Sequence, residues 1–214
     1  MPLKGGTVIA AFDFDGTLTL RDTFVPYLAR GLGWPRFLLA LLKCSPWLLA
    51  FALRLIPNDV AKQRLMLATL KGKSLAEVDD WATRWLAQDF PGQLRSWNLQ
   101  QLTQHQQAGH WCVMVSASPD IYLQRVARQM GFDALICTEM AADSGVLTGQ
   151  MRTPNCHGEQ KVLRLKAWMR ERFGTDTGFT LYAYGDTPGD KPMLGMAEHA
   201  FYREKPWRVA KQAV

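Results

Sequence analysis

The sequence predicts an α/β protein in which a doubly wound parallel sheet carries a helical insertion. Apolar runs of strand length alternate with segments of helical periodicity, which is the pattern of a parallel sheet covered by helices. Residues 20–100 interrupt that alternation, because they contain helical patterns and no strand-like run. We therefore predict a core domain formed by residues 1–19 and 101–214, with residues 20–100 as a separate helical domain.

Five short apolar runs supply the predicted strands of the core domain. They span residues 8–12, 111–115, 135–138, 179–184 and 200–202. Helices are predicted between them, over residues 121–131 and 161–172. A hairpin-like excursion is predicted over residues 139–152, where Asp143-Ser144-Gly145 separates two runs.

Helical patterns follow one another through the insertion. Apolar residues recur at helical spacing over residues 21–32, and a Gly- and Pro-containing segment then breaks the pattern. Amphipathic patterns continue over residues 58–70 and 74–90, and the second begins with a capping box at Ser74. Residues 93–108 are predicted to return the chain to the core domain.

Residues 37–56 are unusually apolar, and two interpretations stay open. In one, they form a pair of buried helices that turn at Ser45-Pro46. In the other, they form a re-entrant or interfacial hairpin in peripheral contact with a membrane. The second interpretation places basic side chains at the headgroups and tryptophans at the interface, namely Arg36, Lys43, Arg54, Trp34 and Trp47. A full transmembrane span is not predicted, because charged residues and a proline interrupt the stretch.

The net charge and the cysteine content limit the partners and the cellular compartment that the sequence predicts. A net charge of +6 and an isoelectric point near 9.3 favour an anionic partner. The basic residues are dispersed and no nucleic-acid motif occurs, so nucleic acid is not predicted as a partner. The four cysteines lack Cys-x-x-Cys spacing, which indicates free thiols in a reducing cytoplasm. The N-terminal residues lack a signal-peptide pattern, so secretion is not expected.

Two aspartates, Asp13 and Asp15, stand where the first predicted strand ends. Side chains at i and i+2 of a strand point to the same face, so these carboxylates are expected to project together. Carboxylates a few ångströms apart repel each other unless a proton or a cation lies between them, and Mg²⁺ prefers such oxygen ligands. The carboxyl ends of parallel strands are also where α/β proteins place their sites. The pattern therefore predicts a divalent-cation site.

Three later stretches complete a pattern with this Asp-x-Asp-Gly-Thr segment. Val-Ser-Ala-Ser at residues 115–118 ends the second strand, and Lys161 follows an Asn-Cys-x-Gly-Glu-x segment. Asp186 and Asp190 follow the fourth strand. In this order the four stretches resemble the motifs of the haloacid dehalogenase-like hydrolases, over nearly the whole chain. The Asp-x-Asp-Gly-Thr form is similar to the phosphatase branch of that family.

The resemblance implies a Rossmann-like core and an all-helical, C1-type cap formed by the insertion. It implies that Asp13 is the nucleophile that forms an aspartyl-phosphate, and that Asp15 is the general acid and then the general base. Ser116, the backbone amide of Ala117 and Lys161 would bind the substrate phosphate. Each role answers a need of phosphoryl transfer, which requires charge neutralisation, an in-line nucleophile and a protonated leaving group.

The resemblance also implies a Mg²⁺ site. In the family pattern the ion is held by Asp13, by the backbone carbonyl of Asp15 and by Asp186. Asp190 would act as a partner through water. Gly185 would let the backbone turn tightly around the ion.

Details of the motifs resemble the phosphoserine-phosphatase-like group, subfamily IB. The apolar residues 37–56 make the cap more similar to that of phosphatidylglycerophosphatase C, a membrane-associated member that acts on a lipid headgroup phosphate. The resemblance implies a Mg²⁺-dependent phosphatase of a phosphate monoester such as phosphatidylglycerophosphate, in the cytoplasm at the inner face of the membrane. Phosphoserine or histidinol phosphate as substrate, a non-catalytic phosphate-binding regulatory module and a phosphotransferase are the alternatives. Cap residues that could meet the substrate are Arg21, Arg30 and Lys62.

Overall fold

The computed structural model describes residues 6–174 and 178–208. Its strands are β1 Thr7–Phe12, β2 Trp111–Pro119, β3 Ala134–Thr138, β4 Met140–Asp143, β5 Val146–Met151, β6 Phe179–Gly185, β7 His199–Tyr202 and β8 Lys205–Trp207. Its α-helices are α1 Phe24–Leu32, α2 Trp34–Ala52, α3 Asn58–Leu70, α4 Leu75–Gln88, α5 Ser96–Gln107, α6 Asp120–Gln129, α7 Glu159–Phe173 and α8 Lys191–Gly195. Parts of the predicted core domain, residues 1–5, 175–177 and 209–214, lie outside the described residues.

A six-stranded sheet in the order β3-β2-β1-β6-β7-β8 forms the centre of the molecule. β1 pairs in parallel with β2 and with β6, so that Phe12 lies opposite both Met114 and Tyr184. The carboxyl ends of these three strands therefore meet at one edge of the sheet. The predicted doubly wound parallel sheet is confirmed. β8, which the apolar pattern does not predict, adds an antiparallel edge strand.

Both faces of β1 are buried, which explains why this strand is apolar throughout. Side chains alternate between the faces of a strand, so one run of residues contributes to two layers of core. Ala10 and Phe12 belong to a core shared with α5, α6 and the helices of the insertion. Ile9 and Ala11 belong to a second core shared with α7 and α8.

The insertion leaves and rejoins the core at one place. Thr19 forms an isolated antiparallel bridge with Leu94, and Leu20 donates its backbone N–H to the carbonyl of Gln93 at 2.7 Å. The predicted start of the insertion at residue 20 falls at this bridge. Its predicted end, residue 100, lies inside α5. The domain boundaries themselves stay a prediction.

The β4–β5 hairpin attaches the insertion to the core a second time. Gln63 of α3 donates from Nε2 to the carbonyl of Gly149 at 2.7 Å, and its Oε1 accepts the N–H of Met151 at 3.1 Å. Ser74, directly before α4, forms an isolated bridge with Val146. The structure contains the hairpin predicted over residues 139–152, which packs against α3.

The apolar stretch differs from the prediction of two helices that turn at Ser45-Pro46. It forms one helix, α2, which continues through Pro46. Proline has no N–H to offer the carbonyl of Leu42 one turn earlier. The hydroxyl of Ser45 donates to that carbonyl at 2.8 Å, which replaces the missing hydrogen bond. The predicted turn at Ser45-Pro46 is therefore wrong, because the Ser45 hydroxyl replaces the hydrogen bond that Pro46 cannot donate.

His105 and His110 form a partly buried polar cluster with Tyr184. Their Nδ1 atoms lie 2.7 Å apart, and Nε2 of His105 lies 2.8 Å from the Tyr184 hydroxyl. Burial, with the nearby His110 as a second cause, lowers the pKa of His105 to about 4. Because each ring is within hydrogen-bonding distance of a neighbouring side chain, we interpret His105 and His110 as structural residues.

We expect His105 to make the fold acid-sensitive. The unfolded chain takes up a proton below about pH 6.5, whereas the folded chain keeps this ring neutral down to about pH 4. The contribution of His105 to the free energy of unfolding should therefore fall across this window by about 1–3 kcal/mol and level off below it. Urea unfolding of the wild type and His105→Gln at several pH values measures the difference. The exposed His199, changed to Gln, is the control and should keep the wild-type slope. Equal slopes in wild type and H105Q would contradict the expectation.

Candidate active site

Three strand ends bring the predicted site residues to one edge of the sheet. Asp13 directly follows β1, and its N–H donates to the carbonyl of Tyr184 in β6 at 2.9 Å. Ser116 lies in the last part of β2, and Asp186 directly follows β6. Parallel pairing of the three strands places these residues side by side. The convergence of Asp13 and Asp186 follows from this topology.

Lys161 joins two of the predicted carboxylates. It lies in the first turn of α7 and is 2% exposed, and its Nζ lies 2.5 Å from Asp13 Oδ1 and 2.6 Å from Asp190 Oδ1. Burial lowers the pKa of Lys161, but the two carboxylates outweigh burial and raise this pKa above its ordinary value. The ammonium is therefore charged at neutral pH. Burial raises the pKa of Asp13 well above its usual range, against the opposing effect of Lys161.

Thr17 lies between two carboxylates of an acidic cluster. Its Oγ1 is 3.0 Å from Asp13 Oδ2 and 2.9 Å from Asp186 Oδ1, and a hydroxyl has one proton to donate. Carboxylate oxygens of Asp13, Asp186 and Asp190 lie within 4.8 Å of one another. Three carboxylates thus face the single ammonium of Lys161, which leaves an excess of negative charge. An all-oxygen donor set with this charge fits a hard divalent cation such as Mg²⁺.

Asp190 is engaged by protein donors on both of its oxygens. Oδ1 binds Lys161, and Oδ2 accepts the N–H of Asp186 at 3.1 Å. The N–H and the hydroxyl of Thr187 also donate to Oδ2, at 2.8 and 2.7 Å. Asp190 therefore positions Lys161 and the loop that carries Asp186. This arrangement agrees with the predicted role of Asp190, which is to contact a bound cation through water and not directly.

Two glycines leave room for the acidic side chains. A Cβ at Gly16 would lie 2.4 Å from Asp186 Oδ2, and the φ of Gly16 is 81°, a conformation that favours glycine. A Cβ at Gly185 would lie 2.4 Å from the Cβ of Asp190. The φ of Gly185 is not positive, so glycine is needed at this position for close packing.

Asp15 lies outside the acidic cluster, although the sequence predicts that it projects beside Asp13. Its Oδ1 accepts the N–H and the hydroxyl of Thr23 at 2.7 and 2.6 Å, and its Oδ2 accepts the hydroxyl of Ser118 at 2.6 Å. Asp13 and Asp15 line the same cavity, but these hydrogen bonds hold the Asp15 carboxyl group outside the acidic cluster. Burial, with a contribution from Asp22, raises the pKa of Asp15 to about 6 against these hydrogen bonds. Such a carboxyl group can hold and release a proton near neutral pH.

Hydrogen bonds hold the loop at the end of β2, on both sides of the peptide group that joins Ala117 and Ser118. The N–H of Ser118 donates to Ser116 Oγ at 3.0 Å. The carbonyl of Ala117 accepts from Thr138 Oγ1 at 2.6 Å and from Lys62 Nζ at 2.5 Å. Ser116 and Ala117 are thereby fixed beside Asp13, and one of the bonds comes from the cap.

Lys62 of α3 is the cap cation that reaches the site, a role for which the sequence did not distinguish it from Arg21 and Arg30. Its Nζ also donates to Asn155 Oδ1 at 2.9 Å, and Asn155 donates to Asp59 at 2.6 Å. Burial lowers the pKa of Lys62 to about 8, although nearby carboxylates oppose this effect. An ammonium has three N–H donors, and these two bonds use two of them.

A cavity of about 580 Å³ lies between the cap and the edge of the sheet. Its floor is polar and contains the predicted catalytic and phosphate-binding residues, namely Asp13, Asp15, Ser116, Ala117, Lys161 and Asp190. Its cap side is largely apolar, and the residues there are Phe24, Val25, Leu48, Phe51, Ala61 and Leu65. Asp22, Asn58, Lys62 and His157 add polar groups at the wall. The cavity therefore suits a molecule with an anionic end and a larger, partly apolar body.

Sequence reasoning did not single out Thr17, Thr23, Ser118 and Asn155. Thr17 belongs to the Asp-x-Asp-Gly-Thr motif, so its place between strand and insertion was a usable signal. Ser118 and Asn155 also belong to quoted motifs, but their partners Asp15 and Asp59 are 103 and 96 residues away, so the motifs do not reveal these bonds. Thr23 belongs to none of the motifs.

The fold and the site define a class of hydrolases in which a carboxylate at the end of a parallel strand faces the polar floor of a cavity. Residues 10–195 match the haloacid dehalogenase-like hydrolase family. The chain belongs to that family.

Known proteins resemble this chain over most of its length. Protein CicA of Caulobacter vibrioides is 35% identical over 201 residues, which cover 92% of this chain and 86% of the relative. A probable phosphatase of Mycobacterium tuberculosis is 27% identical over 200 residues, which cover 89% of this chain and 67% of the relative. The structure of a phospho-aspartyl intermediate analogue of phosphoserine phosphatase has a TM-score of 0.62 at 15% identity and covers 92% of this chain and 86% of that one. At this identity the last comparison supports the fold.

Proposed function

We propose that the protein hydrolyses a phosphate monoester with the help of Mg²⁺ and through an aspartyl-phosphate on Asp13. One observation carries the proposal: the Asp13 carboxylate binds the Lys161 ammonium, belongs to the acidic cluster and lies at the floor of the cavity. In that place it has a cation on one side and room for a phosphoryl group on the other.

Asp13, Asp186 and the backbone carbonyl of Asp15 would hold the ion, and Asp190 would support this set. The excess negative charge and the oxygen donors of the cluster support that assignment. When bound, Mg²⁺ would neutralise phosphate charge and so lower the repulsion that protects a phosphate monoester from anionic nucleophiles.

In the first step, a carboxylate oxygen of Asp13 forms a bond to phosphorus while the bond from phosphorus to the ester oxygen breaks. Asp15 gives its proton to that departing oxygen, so the product leaves as an alcohol. In the second step, Asp15 takes a proton from a water molecule, whose oxygen bonds to phosphorus. The bond from phosphorus to Asp13 then breaks, which releases inorganic phosphate and restores both carboxyl groups.

The remaining residues hold the phosphoryl group. Lys161 places its charge beside Asp13 and the non-bridging oxygens. Ser116 Oγ already accepts a bond from Ser118, so its own hydrogen can be donated to a phosphate oxygen. The N–H of Ala117 would be a further donor, on a loop that Thr138 and Lys62 keep in place.

We infer that the substrate is a lipid headgroup phosphate such as phosphatidylglycerophosphate. The apolar cap side of the cavity supports this inference, because a small polar metabolite gains nothing from contact with Leu48 and Phe51. Lys62 lies between the apolar cap side of the cavity and its polar floor, where it would contact a second anionic group of the substrate. The protein would then act in the cytoplasm at the inner face of the membrane, in agreement with its four free, buried cysteines.

A soluble metabolite such as phosphoserine or histidinol phosphate is the second candidate. Polar residues at the cavity wall favour it, namely Asp22, Asn58, Lys62 and His157. The likeness to phosphoserine phosphatase supports it through the shared fold.

A substrate panel decides between the candidates. We expect the purified protein with Mg²⁺ to hydrolyse phosphatidylglycerophosphate and lysophosphatidate with a kcat/KM about tenfold or more above that for phosphoserine and histidinol phosphate. The measurement is release of inorganic phosphate, with identification of the product alcohol. The reverse order would favour the metabolite phosphatase. Transfer of phosphate to another acceptor would identify a phosphotransferase, and a protein inert on the whole panel would favour a non-catalytic module.

A further inference from the structure

We propose that α2 docks the protein on an anionic membrane surface, lying along the surface without crossing the bilayer. Among the described residues, α2 is the one helix that is long and apolar enough to span a membrane. Only 17% of its most apolar window is buried against the rest of the protein. Its inner side rests on the cap through Phe37, Ala40 and Cys44. No part of residues 6–174 and 178–208 covers the outer side. The use of this surface rests on the proposed function, because a lipid phosphate is the substrate that it would serve.

The exposed side of α2 is a leucine stripe. Leu38, Leu42 and Leu49 are spaced by four and seven residues, so they lie on one side of the helix. They are 56%, 68% and 62% exposed. The stripe continues past the helix end with Leu53 and Leu55, which are 61% and 73% exposed. A soluble monomer rarely exposes so many large apolar side chains in one place.

The charges around the stripe match an anionic surface. Residues 34–57 contain three basic residues, Arg36, Lys43 and Arg54, and no acidic residue. Arg36 and Lys43 are seven residues apart and therefore share a second exposed side of the helix, roughly 130° around its axis from the leucine stripe. Long, flexible basic side chains on the flank of an apolar helix can still extend to a headgroup boundary. A protein partner would have to be acidic and apolar at once, whereas a bilayer with anionic lipids offers both properties together.

The neighbours of α2 exclude a transmembrane orientation. α1, before it, is attached to α4, since the Tyr27 hydroxyl donates to the carbonyl of Val78 at 2.8 Å. α3, after it, is attached to the β4–β5 hairpin through Gln63. α2 itself packs on α3, where the guanidinium of Arg64 lies 4.9 Å from the centre of the Trp47 ring. A span would place β1 and α1 on the opposite side of the bilayer from α3, α4 and the other strands, and would break the contact between α1 and α4 and the pairing of β1 with β2 and β6.

The same helix connects the docking surface with the active site. Leu48 and Phe51 line the cavity, and Leu49, between them in sequence, belongs to the exposed stripe. A bilayer against the stripe would therefore lie beside the apolar side of the cavity. A lipid phosphate could reach Asp13 with its acyl chains still at the membrane.

Vesicle sedimentation tests the proposal with the full chain. We expect the wild type to sediment with vesicles of phosphatidylcholine containing about 30% phosphatidylglycerol, and much less with phosphatidylcholine alone. The double variant Leu42→Glu/Leu49→Glu should lose about tenfold or more in vesicle affinity. Its hydrolysis of p-nitrophenyl phosphate in solution should equal that of the wild type, because neither leucine lines the cavity. Arg36→Gln/Lys43→Gln should bind anionic vesicles more weakly and should abolish the preference for them.

Leu163→Glu is the matched control, since this leucine is 57% exposed on α7, away from the stripe. It should bind vesicles like the wild type. Wild-type binding by the L42E/L49E variant would overturn the proposal. So would a wild-type dimer in light scattering that the same variant converts to a monomer, because a second copy would then cover the stripe. Vesicle binding by a protein that hydrolyses no phosphate ester would retain the docking surface and reject the proposed function.

Discussion

Asp13→Asn is expected to lower kcat on p-nitrophenyl phosphate by about 10³-fold or more. The amide is nearly isosteric with the carboxylate but lacks the anionic oxygen that would attack phosphorus. Phosphate binding should persist, because Ser116, Ala117 and Lys161 remain. Steady-state kinetics and calorimetric titration with inorganic phosphate measure the two effects separately.

Asp80→Asn is the control for this substitution. Its side chain is 64% exposed on α4 and forms a surface ion pair with Arg84. The control should retain the wild-type kcat, since such pairs contribute little. Wild-type turnover by D13N would show that Asp13 is not the nucleophile and would remove the aspartyl-phosphate from the proposal.

Removal of divalent cations is expected to have the second large effect. Chelation should abolish turnover, and Mg²⁺ should restore it. Mg²⁺ at about 100 times its dissociation constant should also stabilise the fold by about 2.7 kcal/mol, visible as a higher melting temperature. Asp186→Asn should lose both the activity and this thermal shift, because it removes a carboxylate from the acidic cluster.

Asp143→Asn, in the exposed turn of the β4–β5 hairpin, should keep both responses to Mg²⁺. The thermal shift reports binding independently of catalysis. An Asp186→Asn variant with the wild-type shift would place the ion elsewhere. Full activity of the wild type after exhaustive chelation would reject the requirement for a divalent cation.

The centre of the fold was predictable because its signals are local. Residues 8–12 and 179–184 are largely apolar on both faces, and an aspartate follows each run within two residues. A parallel sheet brings such ends to one edge, so the meeting of Asp13 and Asp186 follows from pattern and topology together. Lys161 needed the order of the motifs as well, because a lone lysine at the start of a helix is usually solvated.

Other features depend on contacts that no local pattern encodes. The continuity of α2 through Pro46 depends on one hydroxyl, that of Ser45, which supplies a substitute hydrogen bond. The position of the Asp15 carboxyl group outside the acidic cluster depends on Thr23 and Ser118, which come from the cap side and from β2. Strand alternation predicts neighbouring side chains only as far as the strand continues, and β1 ends at Phe12.

The double attachment of the cap bears on how substrates gain access. The Thr19–Leu94 bridge joins it to the core on one side, and the bonds of Gln63 to the β4–β5 hairpin join it on another. A lid fastened along two edges resists the wide swing that a single hinge allows. Substrates would then enter and products would leave through an opening whose width changes little. The fit of a molecule to that opening would decide which esters bind, so selection by size would precede the chemical step.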